Sequence, residues 1–144
     1  MRQTETADHP EILARHGSLV VLVEDDDSLR TALKRVLRAW GFETRAYASA
    51  EAALADEHLD GPDCLVVDVG LPGVSGLELV DRLRVRGARA QVIVISARDE
   101  AEVRDEMMRR GIEHFLAKPF LGSVLVRTVD GVLGERQRAR NADR

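Results

Sequence analysis

The chain has 144 residues, 44% of them hydrophobic and 32% charged, with a formal net charge of −4. That length suits one domain with its own core, and the mild acidity offers no general attraction to nucleic acid or an anionic membrane. A single cysteine excludes a disulfide framework or a thiolate zinc cluster, no apolar stretch approaches the ~20 residues that span a bilayer, and Met1–Thr6 lacks the apolar stretch of a secretory signal, so a cytoplasmic protein is expected.

Residues 1–17 are polar and aperiodic, with Pro10 and Gly17, and read as a flexible leader. Leu19–Val23 is a continuous apolar run, as expected for a strand buried on both faces. Leu29, Ala32, Leu33, Val36, Leu37 and Trp40 then recur at helical spacing, and Gly41 supplies the stop. Phe42–Tyr47 reads as a more amphipathic strand suited to a sheet edge, with Trp40 and Phe42 taken as packing residues. Ser49 can cap a short alanine-rich helix over residues 50–57.

Cys64–Val67 is the third expected strand and ends at Asp68; inside it, Cys64 reads as a small buried hydrophobe. Ser75-Gly76-Leu77-Glu78 matches a reciprocal capping box and opens a helix carrying Leu79, Val80 and Leu83. Val92–Ile95 is the fourth strand. Asp99 followed by Glu102 marks a helix to Gly111, with Val103, Met107 and Met108; one of the methionine pair must point away from the core. Phe115–Ala117 is a short fifth strand, and Leu121–Leu133 a last amphipathic helix. Glu135–Arg144 is polar and arginine-rich, like a helix end running into a tail or linker.

This βα order, repeated five times, implies an α/β fold: a doubly wound parallel sheet with helices on both faces, spanning residues 18–134. In such a sheet the carboxyl ends of the strands share one edge, where ligands bind. Four strand ends carry chemistry here: the acidic run Glu24–Asp27, Asp68, Ser96 and Lys118. Asp26 or Asp27 can serve as a cap for the following helix. Glu24 and Asp25 sit nearer the buried strand end, and crowded carboxylates there imply a cation. An all-oxygen donor set without paired His or Cys points to Mg²⁺, with Mn²⁺ as a substitute; His9, His16, His58 and His114 have no paired spacing. Pro119 restricts Lys118 to extended geometry at its strand end and allows a cis bond there.

These residues resemble the receiver domain of two-component response regulators from about Leu19 to Leu133. The matching motifs are Val23-Glu24-Asp25-Asp26, Asp68 with Leu71-Pro72 and Gly76, Ile95-Ser96-Ala97, and Lys118-Pro119-Phe120. The resemblance implies a five-stranded sheet of order 2-1-3-4-5 with five helices, a flavodoxin-like three-layer sandwich. It implies Asp68 as phosphoacceptor from a phosphohistidine. Glu24 and Asp25 become the acidic pair of a Mg²⁺ site, completed by Asp68 and the backbone carbonyl of Gly70. Ser96 becomes the switch hydroxyl, Lys118 the partner of the phosphoryl oxygens, and Phe115 the aromatic switch, here without a hydroxyl. The implied partner is a sensor histidine kinase or phosphotransfer protein. Gly70 and Arg98, two residues after Asp68 and Ser96, are positions that tune signal lifetime.

The reading is therefore a phosphorylation-driven switch whose only chemistry is its own phosphoryl transfer and slow self-dephosphorylation. Two alternatives stand beside it. An aspartyl-phosphate phosphatase or phosphotransferase usually carries a second Asp where Gly70 stands. A flavodoxin-like module binding nucleotide or flavin phosphate would be repelled by Glu24–Asp27. No helix-turn-helix follows, so no DNA-binding domain is expected in these residues. Output is expected through partner binding, a phosphorelay step or an output domain outside this sequence. A homodimer through the face of the fourth helix, fifth strand and last helix is one such form.

Overall fold

The computed structural model describes residues 17–59 and 61–142. The expected leader lies outside the described residues apart from Gly17, as do His9 and His16. Five strands alternate with five helices among the described residues: β1 Leu19–Val23, α1 Asp27–Ala39, β2 Glu43–Tyr47, α2 Ala50–Ala55, β3 Cys64–Asp68, α3 Gly76–Val85, β4 Gln91–Ser96, α4 Glu100–Arg109, β5 His114–Ala117 and α5 Gly122–Ala142. The strands form one parallel sheet in the order β2-β1-β3-β4-β5.

Alternation along the strands builds two cores. Val21, Val23, Leu65, Val67, Val92 and Val94 face the side covered by α2, α3 and α4. Val20, Leu22, Cys64, Val66, Ile93 and Ile95 face the side covered by α1 and α5. Because both faces are buried, the central strands contain almost no polar residue until their carboxyl ends. Cys64 is fully buried, and desolvation pushes its thiol up to about 12, so it stays a neutral thiol.

The helix starts use the expected chemistry, with local departures. Asp26, Ser49 and Ser75 each accept a backbone N–H from the first turn of their helix, at 2.8, 3.0 and 3.1 Å. The box at Ser75 is only half formed, because the Glu78 carboxylate pairs with Arg82 one turn on. Asp99 stands at the N-cap of α4 without a side-chain capping bond. Phe42 is buried as expected, but Trp40 is 40% exposed: it is the C-cap of α1, where the chain turns away towards β2. Of the methionine pair, Met107 is buried and Met108 lies outside.

The largest difference lies at the end of the chain. α5 continues through Glu135 to Ala142 instead of ending near Leu133. Arg136 is held rather than solvated: its guanidinium donates to the Asp63 carbonyl at 2.8 Å and lies 3.5 Å from the Asp63 carboxylate. The Asp63 carboxylate in turn accepts the N–H of Leu19 at 2.8 Å, so one residue ties the extended helix to the start of β1. No helix among the described residues is long and apolar enough to cross a membrane.

Candidate functional site

The strand order reverses between β1 and β3, which opens a crevice at their carboxyl ends. β1 delivers Glu24 and Asp25 there, and β3 delivers Asp68. Register explains the remaining two residues. Asp68 pairs with Ile95 and Ser96 with Ala117, so Ser96 and Lys118 emerge at the same edge, one strand and two strands further along. The Lys118 N–H donates to the Ser96 carbonyl at 2.8 Å, extending the ladder into the site.

Charge organises the pocket. Lys118 Nζ lies 2.6 Å from Asp68 Oδ2 and 2.6 Å from Glu24 Oε1. Glu24 is fully buried and Asp68 is 5% exposed. Asp25 is exposed, yet it offers a carboxylate oxygen within 4.8 Å of one from each of the other two acids. Burial raises the Glu24 carboxyl above its ordinary value, against the opposing pull of Lys118. Burial pulls Lys118 down, but its hydrogen bond to Asp68 and its close pairing with Glu24 outweigh this and hold the ammonium above its ordinary value.

The two carboxylates are fastened by backbone as well. Gly70 N–H donates to Asp68 Oδ1 at 2.8 Å, and Asp26 N–H donates to Glu24 Oε2 at 3.1 Å. The contact from Lys118 to Glu24 Oε1 is an ion pair poorly aligned for hydrogen bonding. That buried oxygen has no hydrogen-bond partner among the described residues. A buried carboxylate oxygen met only by an ammonium, within a cluster of three acids, is one that a hard divalent cation can also serve, so the donor set fits Mg²⁺ or Mn²⁺.

Two glycines make this approach feasible. A Cβ on Gly76 would lie 2.3 Å from the Asp68 carbonyl oxygen, so the first residue of α3 must be glycine for the helix to pack on the end of β3. A Cβ on Gly70 would come within 3.3 Å of Asp68 Oδ1, so its absence leaves that carboxylate open.

Ser96 is 1% exposed, and its Oγ accepts the N–H of Arg98 at 2.9 Å, which leaves the hydroxyl proton free to be donated. Phe115 is half-buried against the core that includes Val103 and Met107 of α4. The structure thus gathers Glu24, Asp25, Asp68, Gly70, Ser96 and Lys118 at one sheet edge, with Phe115 three residues before Lys118. Sequence reading passed over Arg30. Its guanidinium donates to the Glu24 carbonyl at 2.9 Å and pairs with Asp27; the three-residue spacing from Asp27 was the available signal.

Comparison with known proteins agrees with this geometry. Residues 20–130 match the family described as the response regulator receiver domain. The chain is 37% identical over 126 residues to the transcriptional regulatory protein FixJ of Azorhizobium caulinodans, covering 87% of this chain and 57% of that protein. It is 33% identical over 127 residues to nodulation protein W of Bradyrhizobium diazoefficiens, covering 88% and 56%. It therefore spans a little over half the length of these relatives. Among solved structures, a Francisella response regulator receiver domain superposes with a TM-score of 0.72 at 26% identity, over 84% of this chain and 99% of that one. A receiver domain from Methanospirillum hungatei gives 0.78 at 20% identity, over 85% and 98%, a likeness of fold. With the family matched over residues 20–130 and relatives above 30% identity, the chain belongs to the response regulator receiver domains of two-component signalling.

Proposed function

We propose that this receiver domain is switched by phosphorylation of Asp68, with a phosphohistidine of a sensor histidine kinase or phosphotransfer protein as donor and Mg²⁺ as the required ion. The observation that carries this reading is the nest itself. Three acids lie within 4.8 Å of one another, and a lysine ammonium bridges two of them. Such an arrangement neutralises a phosphoryl group, and phosphoryl transfer depends mainly on positioning and charge.

Asp68, Asp25 and the Gly70 carbonyl would hold the ion, with Glu24 acting through water, and Mn²⁺ can replace it. When bound, the ion supplies positive charge to the phosphoryl oxygens. An Asp68 carboxylate oxygen attacks phosphorus as the phosphorus–nitrogen bond breaks. The imidazole leaves with that electron pair and takes up a proton, and Asp68 becomes an acyl phosphate. Lys118 moves from Asp68 to a phosphoryl oxygen, and Ser96 donates its hydroxyl proton to another.

The pull on Ser96 draws in the loop that begins β4–α4, and Phe115 fills the space given up. The change is a population shift between two packings of the α4/β5/α5 face. That face already exposes Met108 at 69%, Leu121 at 71% and Val124 at 38%, apolar surface suited to a partner or a second copy of this chain. The lone buried thiol suits a reducing cytoplasm, where the reading locates the protein.

Mixing the purified chain with autophosphorylated, radiolabelled histidine kinases tests the proposal. Label should move to this chain only with Mg²⁺ and should not enter Asp68→Ala. Transfer that ignores chelation, or that persists in the variant, rejects it.

A further inference from the structure

The acids of the nest emerge from one short turn, and their directions depend on the peptide that joins them. The carbonyl of Glu24 belongs to the Glu24–Asp25 peptide unit. Its plane therefore sets where the Asp25 side chain leaves the backbone as well as where Glu24 ends. On the Glu24 side the turn is well fastened. Glu24 N–H donates to the Tyr47 carbonyl at 3.1 Å, and the Glu24 carboxylate accepts from Asp26. On the Asp25 side, Asp25 is exposed, and its carboxylate accepts no hydrogen bond among the described residues. The peptide between them is held by one side chain, Arg30, whose donor at 2.9 Å reaches the Glu24 carbonyl from the first turn of α1.

We infer that Arg30 is a positioning residue for the divalent ion: its guanidinium locks the Glu24–Asp25 peptide plane and so keeps the Asp25 carboxylate within reach of Glu24 and Asp68. This deepens the metal reading above and rests on it. The fork geometry of arginine is needed, because one nitrogen holds the carbonyl while the other pairs with Asp27. The Arg30 side chain is 20% exposed, whereas Asp27 is 87% exposed. The carbonyl contact is therefore the sheltered half of the fork, and the Asp27 pair mainly aims it.

Position and charge make opposite predictions, which gives the test its sign. Arg30→Met removes a positive charge close to a cation site, so charge alone would tighten Mg²⁺ binding. Loss of positioning loosens it, by roughly tenfold, as for other groups that orient metal ligands without touching the metal. Calorimetric titration of wild type, Arg30→Met and Arg30→Lys with Mg²⁺ reads this directly, and urea midpoints of the same proteins report the fold. Weaker binding in Arg30→Met with a near-wild-type midpoint is the expected result. Arg30→Lys keeps the charge and loses the fork, so it should also bind more weakly than wild type. Unchanged or tighter binding in either variant overturns the inference, as does a loss of affinity matched by a collapse of the midpoint in both. A wild-type chain that takes up no Mg²⁺ would instead overturn the metal reading itself.

Discussion

The Lys118 ammonium lies 2.6 Å from the Asp68 carboxylate, the same oxygen set that the divalent ion would use. It also lies 2.6 Å from the buried Glu24, so it acts as the resident cation of the nest. Ion and ammonium therefore compete. Lys118→Met should bind Mg²⁺ more tightly than wild type, by about tenfold given one charge a few ångströms away in a partly buried site. The same variant should accept phosphate poorly, because it lacks the donor that follows the phosphoryl group. Calorimetry beside a phosphorylation time course checks both. An affinity lower than wild type would count against the competition.

Gly76 and Gly131 both sit in helices, and replacing them with alanine should act in opposite directions. At Gly76 the new methyl group would overlap the Asp68 carbonyl, with nearest atoms at 2.3 and 2.9 Å. Relief requires backbone movement at Asp68, so about 1–3 kcal/mol of stability is lost and phosphorylation slows. At Gly131, an exposed position of α5, nothing lies within 4 Å. There the substitution reduces the freedom of the unfolded chain and should stabilise by about 0.5–1 kcal/mol. Urea denaturation of the two variants checks the pair, and equal signs would contradict the packing at Gly76.

The single tyrosine of the chain reports its own environment. Burial, and then a hydrogen bond to Asp56, pushes the Tyr47 hydroxyl up to about 12 from its ordinary value of 10.0. Asp56 is held below its ordinary value by that same bond first. Tyr47 therefore contributes stability that is fully present below pH 10 and is lost as pH rises through about 12. Asp56 contributes stability present above its ordinary value of 3.8 and lost as pH falls through its lowered one. Absorbance titration of the phenolate should give a midpoint near 12, and Tyr47→Phe should lose the part of the alkaline fall in stability that Tyr47 contributes. A midpoint near 10 would mean that Tyr47 is neither buried nor bonded to Asp56 in solution as described.

Arg136 anchors the last turns of α5 through the Asp63 carbonyl. Arg136→Ala should cost about 1 kcal/mol, as for one lost hydrogen bond. It should also speed amide hydrogen exchange over residues 136–142 while leaving α5 before Leu133 protected. Uniform exchange across α5 in both proteins would show that the anchor does not set where the helix ends.

These cases separate what the chain's pattern reveals from what it conceals. The sheet was legible because strands buried on both faces must be continuous apolar runs, as Leu19–Val23 and Cys64–Val67 are. The site was legible because its polar residues follow directly on those runs, where register alone brings Ser96 and Lys118 to the same edge. The end of α5 was not, because residues 135–142 carry no apolar period and their helix is held by the tertiary link from Arg136 to Asp63. Trp40 misled for a related reason: it keeps the helical spacing of Leu33 and Leu37, yet it falls at the cap, beyond the buried stripe. The bridge from Lys118 to Glu24 and the grip of Arg30 on the Glu24 carbonyl depend on side-chain reach; the spacing of Asp27 and Arg30 marks their ion pair but not that grip.

The most direct measurement is the intact mass of wild type and Asp68→Ala after incubation with a small-molecule phosphodonor, with and without Mg²⁺. The account predicts one added phosphoryl group in wild type with Mg²⁺, removable by hydroxylamine as an acyl phosphate must be, and none in Asp68→Ala or after chelation. A phosphoryl group that resists hydroxylamine, or one that appears in Asp68→Ala, would contradict it.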